Sequence, residues 1–416
     1  MNFLSIFCQY DCFLVVCCDI ISTEYLRAWC FDLKILLVSD AYTYQTNGVA
    51  NVVISLAVGL RASGHSVKVL APSNDHHSFK NGDDYYIRSF PAFYYPDQRF
   101  SLVRHDVLLD ELESWKPDLV HMHTEGTIAH LGRKLINDCD VPFVMTSHTD
   151  YAKFVFGRFS KRLPARVITR AFGKIAYRGC YCIVVPSEKA LGFSQLQSVV
   201  DRSVVIPNGI NLAQYQKVCS PDEKASLFAR YGLKDNGKTL IVVSRLSREK
   251  NIKEIIRCFG NLLNKEPDSR LLIVGDGPYR DDLELYSYKC GLDGFVVFTG
   301  YIKPDLVYKY YGMGDLFVSA STFEVHSLTY LEAMAQGLPL VCKQDPCLNG
   351  VLFDGKNGFS YIDDLDFVNK VSMILNDDNM RSQMSVESKH LCDRFSNERF
   401  VKDTCSLYEN ILLSMA

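Results

Sequence analysis

No stretch of this 416-residue sequence is apolar over the ~20 residues that a bilayer-spanning helix requires. The nearest approach, residues 12–21, is interrupted by Asp19 and follows Asp11, so no transmembrane segment is expected. A secretory leader is not expected either: the first ten residues carry no Lys or Arg, and no small-residue cleavage site follows. A large charge of one sign is also missing. Lys and Arg total 45 against 48 Asp and Glu, a formal net charge of −3, so no global basic excess draws the chain to nucleic acid. Low-complexity tracts and short-period repeats are lacking. With 48% hydrophobic and 22% charged residues, the composition excludes disorder for the bulk of the chain and fits a compact protein with sizeable cores.

Cysteine, by contrast, is plentiful. There are 15, five of them (Cys8, Cys12, Cys17, Cys18, Cys30) near the start. The count is odd and the chain long, whereas disulfide scaffolds are short. Cys17-Cys18 and Cys180-x-Cys182 lack partners at zinc spacing. Free thiols in a reducing cytosol are expected.

From Lys34 onward the sequence repeats strand, loop, helix. Residues 34–39, 66–71, 116–123, 142–147, 182–187 and 203–207 are short apolar runs of the kind buried on both faces of a parallel sheet. The pattern restarts at 239–244 and continues through 269–275, 294–299, 315–319 and 338–342. Strands alternating with helices predict parallel sheets with right-handed crossovers. The expected architecture is α/β: two Rossmann-like domains facing a cleft, with a C-terminal helix. The boundaries expected are 1–32 as an N-terminal extension without assigned function, 33–207 and 208–395 as the two Rossmann-like domains, and 396–416 as a helix returning to the first domain.

Three loops carry chemistry. Gly48 follows the first strand and opens the first helix, where a backbone without Cβ and a helix N-terminus suit an anion; an ordinary strand-to-helix turn has the same residues. The spaced glycines of a dinucleotide fingerprint are not present. Arg245 and Lys250 lie in a loop at the carboxyl end of a strand, offering a forked donor and a point charge suited to a diphosphate, or forming a solvated charged loop. Glu324 lies just past a strand and Glu332 eight residues on within a helix, just over two turns away, so both can face one pocket at different depths. A cap and a surface glutamate would read the same way.

Glu324-x7-Glu332 followed by Ala-Met-Ala-x-Gly-x-Pro, the 245–250 loop, Val274-Gly-Asp-Gly-Pro278 and Pro207-Asn-Gly-Ile210 together resemble retaining glycosyltransferases of family 4, which have the GT-B fold. The likeness runs from about Lys34 to the C-terminus. Within the family, residues 42–49, His121-Met-His-Thr-Glu125, Ser147-His-Thr-Asp150 and the 347–353 segment resemble bacterial enzymes that glucosylate diacylglycerol. The resemblance implies that Gly48 lies under the donor diphosphate and that Arg245 with Lys250 neutralises it. It implies that Glu324 holds sugar hydroxyls, Glu332 the ribose, and the backbone at Ser327 and Leu328 the phosphate. His148 would contact the transferred sugar; by itself, a strand-end histidine is commonly a cap or core residue. Ser327 stands where the family often has glycine, and His326 where it has a small or aromatic residue, which bears on sugar preference. The implied donor is a nucleotide sugar (UDP-glucose), with no metal cofactor. Asp364-x-Asp366 has the form of a metal motif but is expected to be a surface turn. His121 and His123 share a strand face and lack a third ligand.

On the acceptor side, Arg162, Arg166, Arg170, Lys174 and Arg178 recur every four residues, forming one basic stripe. Val167, Ile168, Ala171, Phe172, Ile175 and Ala176 flank it. This fits an interfacial helix on anionic lipid or a core-packed helix with a solvated side. Phe93, Tyr94 and Tyr95 sit in an aromatic loop that could receive acyl chains or pack internally. The resulting expectation is a cytoplasmic enzyme, peripheral on the inner face of the cell membrane, moving a hexose to a lipid hydroxyl. A soluble or polysaccharide acceptor, a nucleotide-sugar epimerase and a non-catalytic nucleotide-sugar binder are the alternatives.

Overall fold

The computed structural model describes residues 32–44, 47–91, 99–157, 162–233 and 238–415. The first half of the chain forms β1 (Lys34–Val38), β2 (Ser66–Pro72), β3 (Phe79–Asn81), β4 (Asp84–Ile87), the short ribbon β5 (Phe90–Pro91) and β6 (Arg99–Phe100), β7 (Leu119–Met122), β8 (Phe143–Thr146), β9 (Cys182–Val185) and β10 (Ser203–Val205); all but β3 to β6 fall on the expected apolar runs. A second series follows: β11 (Lys238–Val243), β12 (Ser269–Val274), β13 (Val296–Phe298), β14 (Leu316–Ser319), β15 (Leu340–Lys343) and β16 (Gly358–Tyr361).

The first sheet has the order β10-β9-β8-β7-β1-β2-β4-β3, parallel except for the edge strand β3. The second has the order β13-β12-β11-β14-β15-β16 and is parallel throughout. Ile35, Leu36, Leu37 and Val38 of β1 are all buried, as are Leu240 and Ile241 of β11, because helices cover both faces of each sheet. The β3–β4 hairpin is not among the expected strands. Residues 80–84, which include its turn, are polar, and Tyr85 and Tyr86 are buried.

The terminal helix, Asn397–Met415, lies against the helix Gly48–Ala62 of the first domain. Gly59 makes this approach possible: a Cβ there would stand 2.3 Å from a methyl of Val401. Tyr408 reaches into the first sheet and contacts His121. The ten described cysteines are all free thiols.

Candidate functional site

In an open parallel sheet the loops on either side of a reversal in strand order diverge and leave a crevice at the strands' carboxyl ends. In the second sheet β11 lies between β12 and β14, so the loops following β11 and β14 flank this point. Lys250 comes from the first loop and Glu324 from the second, and Lys250 Nζ donates to Glu324 Oε1 at 2.6 Å. Their side chains are 24% and 15% exposed. Burial opposes ionisation of Glu324, but the charge and hydrogen bond of Lys250, a hydrogen bond from Ser321 and the charge of Lys189 hold its pKa below the usual carboxylate value. Ser244, Ser319, Ser321 and Thr329 line the same pocket. Arg245 is exposed at the head of the first loop. The Val274–Pro278 motif packs directly beneath it: a Cβ on Gly275 (φ +134) would stand 2.0 Å from the Ser244 carbonyl oxygen, so only glycine fits.

Ser327 is the N-cap residue of the helix Leu328–Ala335, its Oγ 3.0 Å from Thr329 Oγ1. Glu332 lies within that helix, eight residues beyond Glu324. The residue is 8% exposed, its carboxylate accepts from the Tyr311 hydroxyl at 2.8 Å, and burial raises its pKa. His326 is buried 5.4 Å from the Phe395 ring, Nδ1 has no hydrogen-bond partner, and burial lowers its pKa to about 4.

The first sheet reverses between β1 and β7. Asp40, just after β1, donates its N–H to Thr124 Oγ1 at 2.7 Å and accepts from Ile128 N at 2.9 Å, tying the two crevice loops together. Gly48 opens its helix, capped by Asn47, whose Oδ1 accepts from Ala50 N at 2.9 Å. Among the described residues, a Cβ on Gly48 would meet nothing within 4 Å. His148, half-buried after β8, places Nε2 3.2 Å from His123 Nδ1 with the rings stacked. Burial lowers the His148 pKa to about 4, so the imidazole is neutral at physiological pH. His121 and His123 do share a face, with centroids 4.1 Å apart. His121, however, spends Nδ1 on Tyr408 and Nε2 on Thr146, at 2.5 and 2.7 Å, and serves as a structural anchor. Glu125 accepts from the hydroxyls of Tyr151 and Tyr177, and burial pushes its pKa up to about 7.

The basic stripe lies on and around the helix Leu163–Ala176, with Arg162 at its N-cap and Arg178 just past its end. The helix packs on the domain not by its apolar face but by Ala165, Thr169 and Gly173, which are buried. Gly173 lets the helix approach so closely that a Cβ there would lie 2.0 Å from the Gln195 carbonyl oxygen. Val167, Ile168, Ala171 and Ile175 are therefore exposed alongside Arg166, Arg170 and Lys174, while Phe172 and Ala176 are half-buried. Phe93, Tyr94 and Tyr95 lie outside the described residues. Asp364-x-Asp366 is not a turn but the first turn of the helix Asp364–Leu375. Arg257 grips both oxygens of Asp364 at 2.6 and 2.7 Å, and Lys370 pairs with Asp366 at 2.8 Å. Glu254 and Cys258 come within 4.8 Å of Asp364, but Lys343 and Tyr361 also engage Glu254, so the trio is an ion-pair network.

Asp40 and Lys189 were not singled out by sequence reasoning, and Glu125 only closed a quoted motif without a role. Each lies at the carboxyl end of a strand or just beyond it, which is the signal that could have found them.

Two family models cover most of the described chain: Glycosyltransferase Family 4 over residues 46–214 and Glycosyl transferases group 1 over residues 223–391. The alpha-monoglucosyldiacylglycerol synthase of Streptococcus pneumoniae is 30% identical over 345 residues, 82% of this chain and 77% of that one. The Acholeplasma laidlawii enzyme of the same name is 27% identical over 392 residues, 91% and 98% of the two chains. Among solved structures, Anabaena HepE in complex with UDP and glucose superposes with a TM-score of 0.68 at 18% identity, covering 91% of this chain and 99% of that one. Sucrose-phosphate synthase from Thermosynechococcus elongatus gives 0.72 at 18% identity, covering 92% and 100%. These likenesses establish the two-domain GT-B fold.

Proposed function

The chain belongs to glycosyltransferase family 4, and from that membership we propose that it moves glucose from UDP-glucose to the hydroxyl of a membrane lipid such as diacylglycerol, with retention of configuration. The observation that carries this reading is the Lys250–Glu324 pair, 2.6 Å apart, at the point where the second sheet reverses. Arg245 and Lys250 neutralise the diphosphate as the bond to the sugar breaks, and the helix N-terminus at Gly48 receives it from the other domain. Glu324 accepts hydrogen bonds from sugar hydroxyls, Glu332 from the ribose, and the backbone at Ser327 and Leu328 donates to the phosphate. The neutral His148 hydrogen-bonds the transferred sugar. The acceptor hydroxyl attacks the face the phosphate leaves, and a phosphate oxygen takes its proton.

Lipid specificity is supported by the names of the two bacterial relatives and by the exposed apolar and basic face of the helix Leu163–Ala176. No helix among the described residues is long and apolar enough to cross a membrane. The exposed basic and apolar face suits an enzyme that acts as a peripheral protein on the inner face. Because two cations serve the leaving group, turnover needs no metal. Nucleotide release is measured with and without diacylglycerol vesicles, and with EDTA. Release that depends on vesicles and survives chelation supports the reading. Release without lipid acceptor, or loss restored by Mg²⁺, overturns the corresponding part.

A further inference from the structure

The loop that carries Glu324 is held from two sides. From its own domain, Lys250 holds the carboxylate. From the other domain, a set of donors takes the loop's backbone carbonyls. Ser187, just past β9, donates its hydroxyl to the Val325 carbonyl at 2.6 Å. Lys189, in the following turn of helix Glu188–Leu191, donates to the carbonyls of Thr322 at 2.9 Å and Glu324 at 2.6 Å. Its third bond is an ion pair with Asp345 Oδ1 at 2.6 Å. Lys153 adds a bond to the Thr322 carbonyl at 3.1 Å.

An ammonium has three donors, and here all three are used. The Lys189 and Asp345 side chains are 9% and 8% exposed, far less than a surface pair. Separating the domains would replace these contacts with water and release the three carbonyls of one short loop, whereas deleting the Lys189 cation in the closed form would leave the largely buried Asp345 carboxylate without its cation and the Glu324 carbonyl without its donor. The loop lacks regular secondary structure, and Glu324 projects from its middle. Among the described residues of its own domain, only longer bonds of 3.3–3.4 Å reach its backbone, from Asn251 to the Ala320 carbonyl and from the Ser321 and Phe323 N–H groups to the Ser319 and Ser321 hydroxyls.

We infer that Lys189 is a positioning residue: an interdomain latch that sets the loop presenting Glu324 only while the two domains are engaged, and so couples domain closure to recognition of the donor's sugar. The inference rests on the donor-site reading above for the word sugar, but the latch itself is a property of the free protein.

Two measurements test it in the full chain. The first is hydrogen–deuterium exchange without ligand. Lys189→Met should speed exchange in residues 320–327 while leaving the helix Ile252–Leu262 unchanged; Asp345→Asn should do the same more weakly, and Lys189→Arg should largely restore protection. Unchanged exchange in a folded Lys189→Met protein overturns the latch. The second is calorimetric binding of UDP-glucose and of UDP. Lys189→Met should weaken UDP-glucose by about tenfold or more while UDP is little affected, because UDP lacks the sugar that Glu324 would hold. In a Glu324→Gln background, the same change should add nothing for UDP-glucose. Equal loss for both ligands means a general structural contact and overturns the coupling to sugar. If wild type binds neither ligand, the donor-site reading fails, and the exchange result still decides the latch.

Discussion

Replacing Lys250 with Met should damage the reaction in two separable ways. The first is loss of charge at the leaving diphosphate. A preorganised group that stabilises developing charge is worth about 3–4 kcal/mol, so kcat should fall by roughly 10²–10³. The second follows from Glu324. Burial pushes its pKa up, and it lies below the usual carboxylate value because Lys250, 2.6 Å away, helps to outweigh that burial. Without the cation the burial contribution remains, so the pKa rises and the ionised form is reached only at higher pH. The acid limb of the pH–rate profile should move to higher pH. The sign for stability is consistent: a depressed folded-state pKa contributes stability above the unfolded pKa, lost as pH falls through the folded value, and the variant should lose that contribution. Lys250→Arg keeps the charge and should retain the wild-type limb. The assay is nucleotide release from UDP-glucose with diacylglycerol vesicles across the pH range. A kcat within a few fold of wild type, with an unmoved acid limb, would refute the reasoning.

Changing Arg166, Arg170 and Lys174 to Gln should weaken binding to anionic vesicles by roughly two orders of magnitude, at ~1 kcal/mol per cation, and raised salt should have a similar effect on wild type; co-sedimentation reads both. Val167→Ser, on the exposed face, should weaken vesicle binding with thermal stability nearly unchanged. Gly173→Val should instead lower the melting temperature, at a cost of about 1–3 kcal/mol or more, because its Cβ would collide with the Gln195 carbonyl oxygen 2.0 Å away; an unaffected melting curve would mean the helix docks by another face.

Parallel strands buried on both faces leave continuous apolar runs, so β1, β2, β11 and β12 were readable directly. So was the placement of Lys250 and Glu324 in loops following strands. The strand order that brings those two loops together was not, because it depends on which neighbour each strand chooses. Glu332 was placed on the correct helix, but its engagement by Tyr311, 21 residues away, has no local trace. The His121–Tyr408 contact spans 287 residues, and the Lys189–Asp345 pair 156. Helical spacing showed an apolar face beside a basic stripe on residues 162–178; it could not show that small residues do the docking, since Gly173 contributes no hydrophobic signal. The β3–β4 hairpin left little trace because its strands are only three and four residues long and are joined through the polar residues 80–84.

The central claim, transfer of a hexose to a membrane lipid, is tested most directly by mass spectrometry of membrane lipids incubated with the enzyme and a panel of UDP- and GDP-sugars. The account predicts one new lipid species, diacylglycerol plus a single hexose, formed with UDP-glucose and not with Lys250→Met. Hexose appearing only on a soluble carbohydrate, or an isomerised nucleotide sugar with no lipid product, would contradict it.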